Sequence, residues 1–258
     1  DFTAHMRYGD KVDMRGGGHF SARLTAPLCV AGGIAIQLLR EKGIEIHGHL
    51  KQVGTIQDAP INMVHPDMKA LASIATEPIA MVDPQKRNEV ENLVMQLKKD
   101  GDSTGGIVEV VATGLPIGLG NPNFDGIENR LARVIFGVPA IKGISFGGGF
   151  DICSRLGSEV NDVFTMDGDK ITTTTNNSGG IQGGITNGLP LVMQVGIKPT
   201  PSIYKEQHSV SLSQKEDTLL TIQGRHDPCV ALRAVPVIEA VTALVILDFL
   251  GDIDHELR

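Results

Sequence analysis

The chain has 258 residues, of which 41% are hydrophobic and 21% charged, so it is long enough to bury a sizeable core and has the composition of a globular protein. Its formal net charge of −7, without a run of Lys or Arg, argues against general nucleic-acid binding. Any anionic ligand must therefore be bound by local basic residues.

The cysteines and the apolar segments indicate the compartment of the protein, and the absence of a linker indicates the number of domains. Cys29, Cys153 and Cys229 are scattered and form no CxxC motif, which predicts neither a disulfide framework nor a metal site and favours a reducing cytoplasm. We find no signal peptide, and no uninterrupted apolar segment that makes a convincing membrane span. Because no linker divides the sequence, residues 1–258 are predicted to form a single domain.

Glycines ahead of the first long apolar segment predict an anion site. The triplet at 16–18 leads into HFSARLTAPLCVAGGIAIQLLREKG, where Ser21 is a suitable N-cap and apolar residues recur at helical spacing up to Gly43. A glycine-rich turn at a helix N-terminus favours negative charge, because free N–H groups and the helix dipole both attract anions. His19, Ser21 and Arg23 would flank this site.

Two histidines follow on one predicted strand. Residues 44–53 alternate as a strand does, which places His47 and His49 on the same face. A metal-binding pair is one interpretation. A half-exposed strand that merely carries two histidines is the commoner one, since no acidic third ligand is near in the sequence.

The middle of the chain alternates strands and helices without a regular βαβ repeat. This order favours an α+β architecture over a Rossmann fold. We predict a short helix at 67–74, an amphipathic helix from 83 to 101 with a solvated charged face, a strand at 105–119, a helix around 127–135, strands at 141–146 and 189–197, and polar excursions at 155–175 and 205–220.

A second glycine cluster and a strand end point to phosphate chemistry. The GGxxGG pattern at 179–184 is neither a Walker loop nor a dinucleotide-binding motif. The strand that follows ends in Lys198, with Thr200 and Ser202 beyond it. One cation and two hydroxyl groups suit a phosphate or a ribityl chain.

The segment RHDP lies directly before the longest apolar run. Arg225, His226 and Asp227 place a fixed cation, a group that titrates near neutrality and a carboxylate on successive residues, and Pro228 makes a turn the expected conformation. From about residue 233 to 250 the spacing predicts a helix with almost no polar face, which should be buried on most sides. The alternative interpretation of RHDP is a turn whose arginine and aspartate pair with each other.

Three long stretches together resemble the signature motifs of chorismate synthases: RGGGHFSARLTAP, NNSGGIQGGITNGLPLVMQVGIKPTPSI and GRHDPCVALRAVPVIEA. The resemblance extends over essentially the whole chain, through GDSTGGIVEVVATGLPIGLG and IKGISFGGGFD. It implies a β-α-β sandwich, with helices layered between antiparallel sheets, in a cytoplasmic homotetramer. It also implies a lyase of the shikimate pathway that uses reduced FMN to convert 5-enolpyruvylshikimate 3-phosphate to chorismate by anti 1,4-elimination of phosphate. Whether NADPH or an outside reductant supplies the reducing equivalents stays open.

The resemblance assigns roles to individual residues. Asp227 would be the catalytic carboxylate, taking a proton close to flavin N5. Arg23 and Arg225 would face the substrate. Contacts to FMN would come from the following positions: His19, Phe20, Ser21, Ala140, Gly183, Lys198, Thr200, Ser202 and Arg225.

The chain departs from the family pattern in two places. The commoner RSSARET is here HFSARLT, so His19, Phe20 and Leu24 replace Arg, Ser and Glu. Asp1 aligns with the last residue of the family's RPGHAD motif, so that motif's histidine, an earlier GESHG histidine and a pair of phosphate-binding arginines would precede this sequence. His5 does not replace them, and a chain limited to these residues is expected to be inactive.

Two alternatives from other classes stay open. The chain would be a non-catalytic flavin-binding or anion-binding fragment of the family if it retains flavin without forming chorismate. In a purely structural interpretation, the glycine clusters reflect close packing and the Arg and Lys residues form ion pairs. Neither FMN nor phosphate would then raise the melting temperature.

Overall fold

The computed structural model describes residues 2–11, 13 and 17–256. Asp1 and the first glycine of the triplet, Gly16, lie outside the described residues. Within the described part, α-helices form at α1 (Phe2–Tyr8), α2 (Thr25–Glu41), α3 (Met68–Ile74), α4 (Pro84–Asp100), α5 (Ile127–Ile135), α6 (Gly157–Val160) and α7 (Val235–Glu256). Strands form at β1 (Glu45–Val53), β2 (Ile56–Gln57), β3 (Gly106–Thr113), β4 (Ile141–Phe146), β5 (Phe164–Asp167), β6 (Lys170–Thr173), β7 (Ile181–Gln182), β8 (Ile185–Thr186), β9 (Leu191–Ile197), β10 (Gln207–Ser211) and β11 (Glu216–Leu220).

One five-stranded antiparallel sheet, in the order β2-β1-β3-β9-β4, organises the fold. The other described strands pair as three two-stranded hairpins, β5–β6, β7–β8 and β10–β11. Helices and antiparallel strands are both prominent, and the predicted α+β class is confirmed.

The two faces of the sheet are covered by different helices. Val110 of β3 belongs to the main hydrophobic cluster, together with Ile238 of α7. The next residue, Val111, lies on the opposite face and clusters with Leu71 and Ile74 of α3. Each such side chain, once removed from water, contributes about 1.5–3 kcal/mol, so both faces stabilise the sheet.

Capping residues explain where two of the predicted helices begin and where one of them ends. Asp67 accepts a hydrogen bond from the N–H of Ala70 at 2.9 Å, and Asp83 accepts one from the N–H of Gln85 at 2.8 Å. Gly101 ends α4 in the left-handed conformation, with φ of 66°, which glycine adopts without strain. The helices predicted at 67–74 and 83–101 are confirmed.

Three predicted segments need correction. The strand expected at 105–119 ends at Thr113, because the chain turns at Gly114. The polar excursions at 155–175 and 205–220 contain the hairpins β5–β6 and β10–β11. Both hairpins are largely exposed, so their sequences lack the apolar alternation by which half-buried strands are predicted.

Helix α2 combines a closely packed face with an apolar exposed one. A Cβ atom on Gly32 would lie 2.3 Å from the Cβ of Ala240, so α2 and α7 approach closely only because residue 32 is glycine. On the other face, Val30, Ile34 and Leu38 are 70%, 58% and 43% exposed. The segment Ala22–Glu41, with mean hydropathy 1.5 and 17% of it buried, is long and apolar enough to cross a membrane by length and composition alone. One such helix is weak evidence for a membrane span, because the core helix of a soluble protein meets the same criteria.

The half-buried Glu239 places a carboxyl group where α2, α7 and β1 meet. Glu239 of α7 accepts a hydrogen bond from the N–H of Gly48 at 2.6 Å. Burial raises the pKa of Glu239 to about 7, although the hydrogen bond from Gly48 opposes this shift. Burial, and next the charge of Glu239, raise the pKa of the Cys29 thiol.

We expect Glu239→Gln to raise the melting temperature at pH 8 and to leave it unchanged at pH 4. The carboxyl ionises near pH 4.5 when unfolded but only near 7 when folded, so the free energy of unfolding falls by up to about 3 kcal/mol as pH rises between these values. Glutamine keeps the acceptor for Gly48 without this loss. Thermal unfolding at both pH values measures the effect, with the exposed Glu91→Gln as control. Equal pH profiles for Glu239→Gln and the parent would contradict the burial argument.

Candidate functional site

One end of the sheet brings together most of the predicted site residues. The strand register pairs Gly106 with both Val53 and Ile197, and Ile197 with Ile141. The corresponding ends of β1, β3, β9 and β4 therefore lie side by side. We call this the Ile197 end of the sheet.

The backbone joins two predicted site residues at the Ile197 end. Lys198 follows β9 and donates its N–H to the carbonyl oxygen of Ala140, which precedes β4, at 3.0 Å. Ala140 has a φ of 71°, a left-handed conformation that is unfavourable for a residue with a side chain. Such strain persists only when the surroundings impose it and is concentrated at functional sites.

Three more loops meet at this end. Ser103 Oγ donates to the carbonyl oxygen of Thr200 at 2.7 Å, and the N–H of Thr104 donates to that of Pro228 at 2.8 Å. The Tyr204 hydroxyl donates to the carbonyl oxygen of Gly224. The segments 198–204, which includes half-buried Ser202, and 224–228 are thereby held next to each other. Sequence analysis did not identify Ser103 or Tyr204, although Ser103 lies in the GDSTGG motif.

The N-terminal group of site residues lies towards the same end. Helix α2 ends at Glu41 and is joined to the start of β1 by residues 42–44, so its C-terminus lies at the opposite end of the sheet. His19, Phe20 and Arg23, which precede α2, are exposed. The side chain of Ser21 accepts the N–H of Arg23 at 3.3 Å, which confirms the predicted cap, although it caps a short 3₁₀ turn at 22–24 before α2.

Three cations of this group have no ion-pair or hydrogen-bond partner for their side chains within the described residues. They are Arg23, Lys198 and Arg225; both arginines are exposed and Lys198 is half-buried. Their neighbour Lys205, in contrast, is paired with Asp102 at 2.6 Å. Unpaired cations towards one end of the sheet, on an otherwise acidic protein, favour an anionic ligand.

Asp227 is held by two contacts. Its Oδ1 accepts the N–H of Cys229 at 3.2 Å, and its Oδ2 lies 3.0 Å from Arg233 Nε. The side chain of Asp227 is 28% exposed and that of Arg233 82%. The alternative in which Arg225 pairs with Asp227 is therefore wrong, and Arg225 stays available. His226 stacks at a tilt on Tyr204, with ring centroids 4.9 Å apart.

Gly183 lies at the other end of the sheet. It is exposed, has a φ of 62° and forms the tip of the β7–β8 hairpin, whose next residue, Gly184, accepts the N–H of Ile127 at 2.9 Å. That hairpin precedes β9 at Leu191, so it is separated from Lys198 by the length of β9, about 20 Å. Within one chain the structure does not bring Gly183 together with the other predicted flavin contacts.

A cavity of about 280 Å³ opens beside the β7–β8 hairpin. Its walls are mainly apolar and include Phe164, Ile171, Ile185 and Leu189, and no charged side chain lines it. A polyanion would find no counter-charge in this cavity.

A buried polar cluster, not identified from the sequence, holds the segment before this hairpin. Asp162 is 8% exposed and accepts hydrogen bonds from Thr175 Oγ1 at 2.7 Å and from the N–H groups of Asn177 and Ser178 at 2.7 and 2.9 Å. Burial by itself would raise the pKa of Asp162, but these hydrogen bonds outweigh it and lower the pKa.

Asn176 completes the Asp162 cluster. Its side chain donates to the carbonyl oxygens of Met63 and Pro190 and accepts the N–H of Gly180. The short polar run TTTTNNS gave no sign of burial, because its partners are distant in sequence.

The two histidines of β1 have different environments. His49 is 1% exposed and lies between two carboxylates, with Nδ1 3.1 Å from Asp58 and Nε2 3.1 Å from Glu109. Burial opposes its charge, but these two hydrogen bonds outweigh it and raise the pKa of His49. His47 is half-buried. His49 thus belongs to a buried ionic cluster, and the expectation of a half-exposed strand was wrong for this residue.

The comparison with protein families identifies the family of the chain. The sequence model of the family described as "Chorismate synthase" matches residues 1–250. The chain belongs to the chorismate synthase family. Chorismate synthases are lyases of the shikimate pathway (EC 4.2.3.5), and the predicted enzyme class is confirmed.

Individual chorismate synthases resemble the chain over nearly its full length. The protein from Lancefieldella parvula is 42% identical over 260 residues, which cover 97% of this chain and 68% of that protein. The one from Dehalococcoides mccartyi strain BAV1 is 44% identical over 255 residues, covering 96% of this chain and 67% of that protein. A solved structure titled "Crystal Structure of Chorismate Synthase" is 27% identical, with a TM-score of 0.78, and the match covers 97% of this chain and 70% of the solved one.

Proposed function

We propose that the Ile197 end of the sheet binds reduced FMN and 5-enolpyruvylshikimate 3-phosphate, and that Asp227 transfers a proton there during formation of chorismate. The observation that carries this proposal is the group of three unpaired cations, Arg23, Lys198 and Arg225, on a protein of net charge −7. Both ligands are anionic, and guanidinium and ammonium groups are the usual partners of phosphate and carboxylate.

The residues present fit the phosphate end of a flavin nucleotide. Lys198 supplies a cation, Thr200 and Ser202 supply hydroxyl groups, and Ser21 supplies another hydroxyl group ahead of α2. Strained Ala140 is fixed beside Lys198. His19, Phe20 and Arg225 complete the proposed flavin contacts. FMN, when bound, supplies electron density that assists removal of the substrate hydrogen and recovers it, so that no net oxidation occurs.

Asp227 is suited to accept a proton. The N–H of Cys229 fixes one carboxylate oxygen, while the other lies against the exposed Arg233. A pair this exposed is worth less than about 1 kcal/mol, so it orients the carboxylate and is readily broken. Arg23 and Arg225, with no partner in the described structure, would bind the anionic groups of the substrate.

The position of Gly183 supports an assembly of more than one copy, and we propose the homotetramer that the family resemblance implies. A flavin whose phosphate lies near Lys198 cannot also reach Gly183 of the same chain across about 20 Å of β9. A second copy would supply Gly183 and complete the site. The exposed apolar face of α2 formed by Val30, Ile34 and Leu38 is a further surface that assembly would cover.

Domain organisation and compartment follow from the same structure. One hydrophobic cluster includes residues from Ala35 to Phe249, which supports a single domain over residues 1–258. Cys29, Cys153 and Cys229 are all free thiols, which supports a reducing cytoplasm. We propose NADPH as one source of the reducing equivalents for the flavin.

We expect Lys198→Ala and Arg225→Ala each to weaken FMN binding by about 10- to 100-fold, because each removes a hydrogen bond to a charged group, worth about 1.5–3 kcal/mol. Quenching of FMN fluorescence measures the dissociation constant. Lys205→Ala is the matched control, since this lysine lies at the same end but is already paired with Asp102. Parent-like binding by both variants would contradict the proposed phosphate site.

The activity itself is tested by mixing the protein with dithionite-reduced FMN and 5-enolpyruvylshikimate 3-phosphate and recording chorismate absorbance. Appearance of chorismate supports the lyase. Retained flavin with no chorismate would favour a binding fragment. If neither FMN nor phosphate raises the melting temperature, the interpretation in which the basic residues only form ion pairs is favoured.

A further inference from the structure

The glycines at 179–184 divide into two kinds. A Cβ on Gly179 would lie 2.3 Å from the backbone nitrogen of Gly147, and one on Gly180 would lie 2.5 Å from the carbonyl oxygen of Pro190. Close packing therefore requires glycine at both positions. A Cβ on Gly183 would meet no atom within 4 Å, so open space lies beside it.

Hydrogen bonds to the segment 175–178, which precedes the hairpin, fix the position of this open turn. Asp162 has no cation partner within the described residues, and each of its oxygens accepts from the segment 175–178. Asn176 ties the same segment to Met63, Pro190 and Gly180. The hairpin that carries Gly183 begins directly after this anchored segment, at Ile181.

We infer that Asp162 is a positioning residue for flavin binding, which holds residues 175–180 so that the turn at Gly183 keeps the shape that receives the flavin. The inference rests on the proposed function, because it takes the ligand from there. It adds a residue that touches no ligand and lies far from Lys198 along the sheet.

An isolated buried carboxylate without a cation depends on all of its donors. Asparagine at position 162 retains one acceptor oxygen but replaces the other with an NH₂ group, which would face the N–H donor of Asn177 or Ser178. Two donors that face each other cannot bond, so the segment 175–178 must shift. The apolar cavity and Gly183 shift with it, whereas the contact between Lys198 and Ala140 at the other end of β9 stays.

The two ends of the sheet allow the inference to be tested with two probes. FMN would use both the Ile197 end and the glycine turn, whereas inorganic phosphate would use only the cations of the Ile197 end. We expect Asp162→Asn to raise the dissociation constant of FMN about 10-fold and to change that of inorganic phosphate by less than about 2-fold. Calorimetric titration of the 258-residue chain measures both constants.

Two further variants complete the test. Thr175→Val removes one donor to Asp162 and leaves the two backbone donors. We therefore expect it to weaken FMN binding about 3-fold and to destabilise the fold less than Asp162→Asn does. Asp217→Asn makes the same charge change at an exposed position of β11 and should bind both probes like the parent.

Three other results would each overturn the inference. Unchanged FMN binding by Asp162→Asn and Thr175→Val would show that the Asp162 cluster does not position the flavin site. Parallel losses of FMN and phosphate binding would show a general effect on the fold instead. A parent chain that binds neither probe would refute the proposed flavin site itself, and the inference with it.

Discussion

In a chain that also carries the family's RPGHAD and GESHG histidines, Asp227→Asn is expected to lower the turnover of chorismate formation by about 10²- to 10⁴-fold and to leave FMN affinity within a few-fold of the parent. Removal of a proton-transfer group typically costs this much in rate. Asparagine retains an oxygen that can accept the N–H of Cys229, so the turn should keep its conformation. The measurement is the rate of chorismate formation at saturating reduced FMN, together with the dissociation constant of FMN.

Arg233 provides the control for Asp227. Its guanidinium group is 82% exposed, so Arg233→Gln removes the ion pair at a cost below about 1 kcal/mol and leaves the carboxylate in place. Turnover of Arg233→Gln should therefore stay within a few-fold of the parent. An Asp227→Asn variant that turns over as fast as Arg233→Gln would remove Asp227 from the mechanism.

Local sequence signals predicted the parts of this fold that are determined locally. Asp83, followed by proline, and Gly101 define the two ends of α4, because capping depends on neighbouring residues alone. Lys198 was predicted at a strand end because the apolar run of β9 stops there. Short exposed strands such as those of the β10–β11 hairpin carry no burial pattern and were missed.

Long-range register decides the rest of the candidate site. The contact between Ala140 and Lys198 depends on the pairing of Ile141 with Ile197, which no local pattern encodes. Family resemblance alone placed Gly183 in the same set as Lys198, and the structure separates the two residues by the length of β9.

His49 illustrates the same limit for the core. Alternation along β1 placed His47 and His49 on one face but did not predict that His49 is buried on this face. Glu109 lies directly opposite His49 in the pairing of β1 with β3, and Asp58 reaches it from the loop after β2. The two carboxylates are 60 and 9 residues away in sequence, so the buried cluster becomes visible only in the folded chain.

Asp58→Ala is expected to lower the free energy of unfolding by about 3–5 kcal/mol, the range observed when one partner of a buried ion pair is removed. The Asp58 side chain is 0% exposed and accepts from the backbone N–H groups of Val82 and Asp83 at 2.6 and 2.9 Å, besides its contact with His49. Alanine leaves these donors unpaired inside the protein. Urea unfolding measures the change, and Asp125→Ala, which breaks an exposed pair with Arg130, should cost less than about 1 kcal/mol.

The pH dependence of the loss in unfolding free energy caused by Asp58→Ala measures how much of that loss is electrostatic. Burial opposes ionisation of Asp58 and Glu109, but their hydrogen bonds, first those with His49, lower both pKa values. The two carboxylates therefore stabilise the folded protein above pH 3.8–4.5, and this stabilisation is lost as pH falls through the lowered pKa values. His49 has a raised pKa, so its contribution is present below pH 6.5 and is lost as pH rises through the raised value. The difference in unfolding free energy between parent and Asp58→Ala should therefore be largest between about pH 5 and 6, and should become smaller as pH rises through the raised pKa of His49. A difference that is independent of pH would mean that His49 does not carry its charge in the folded protein.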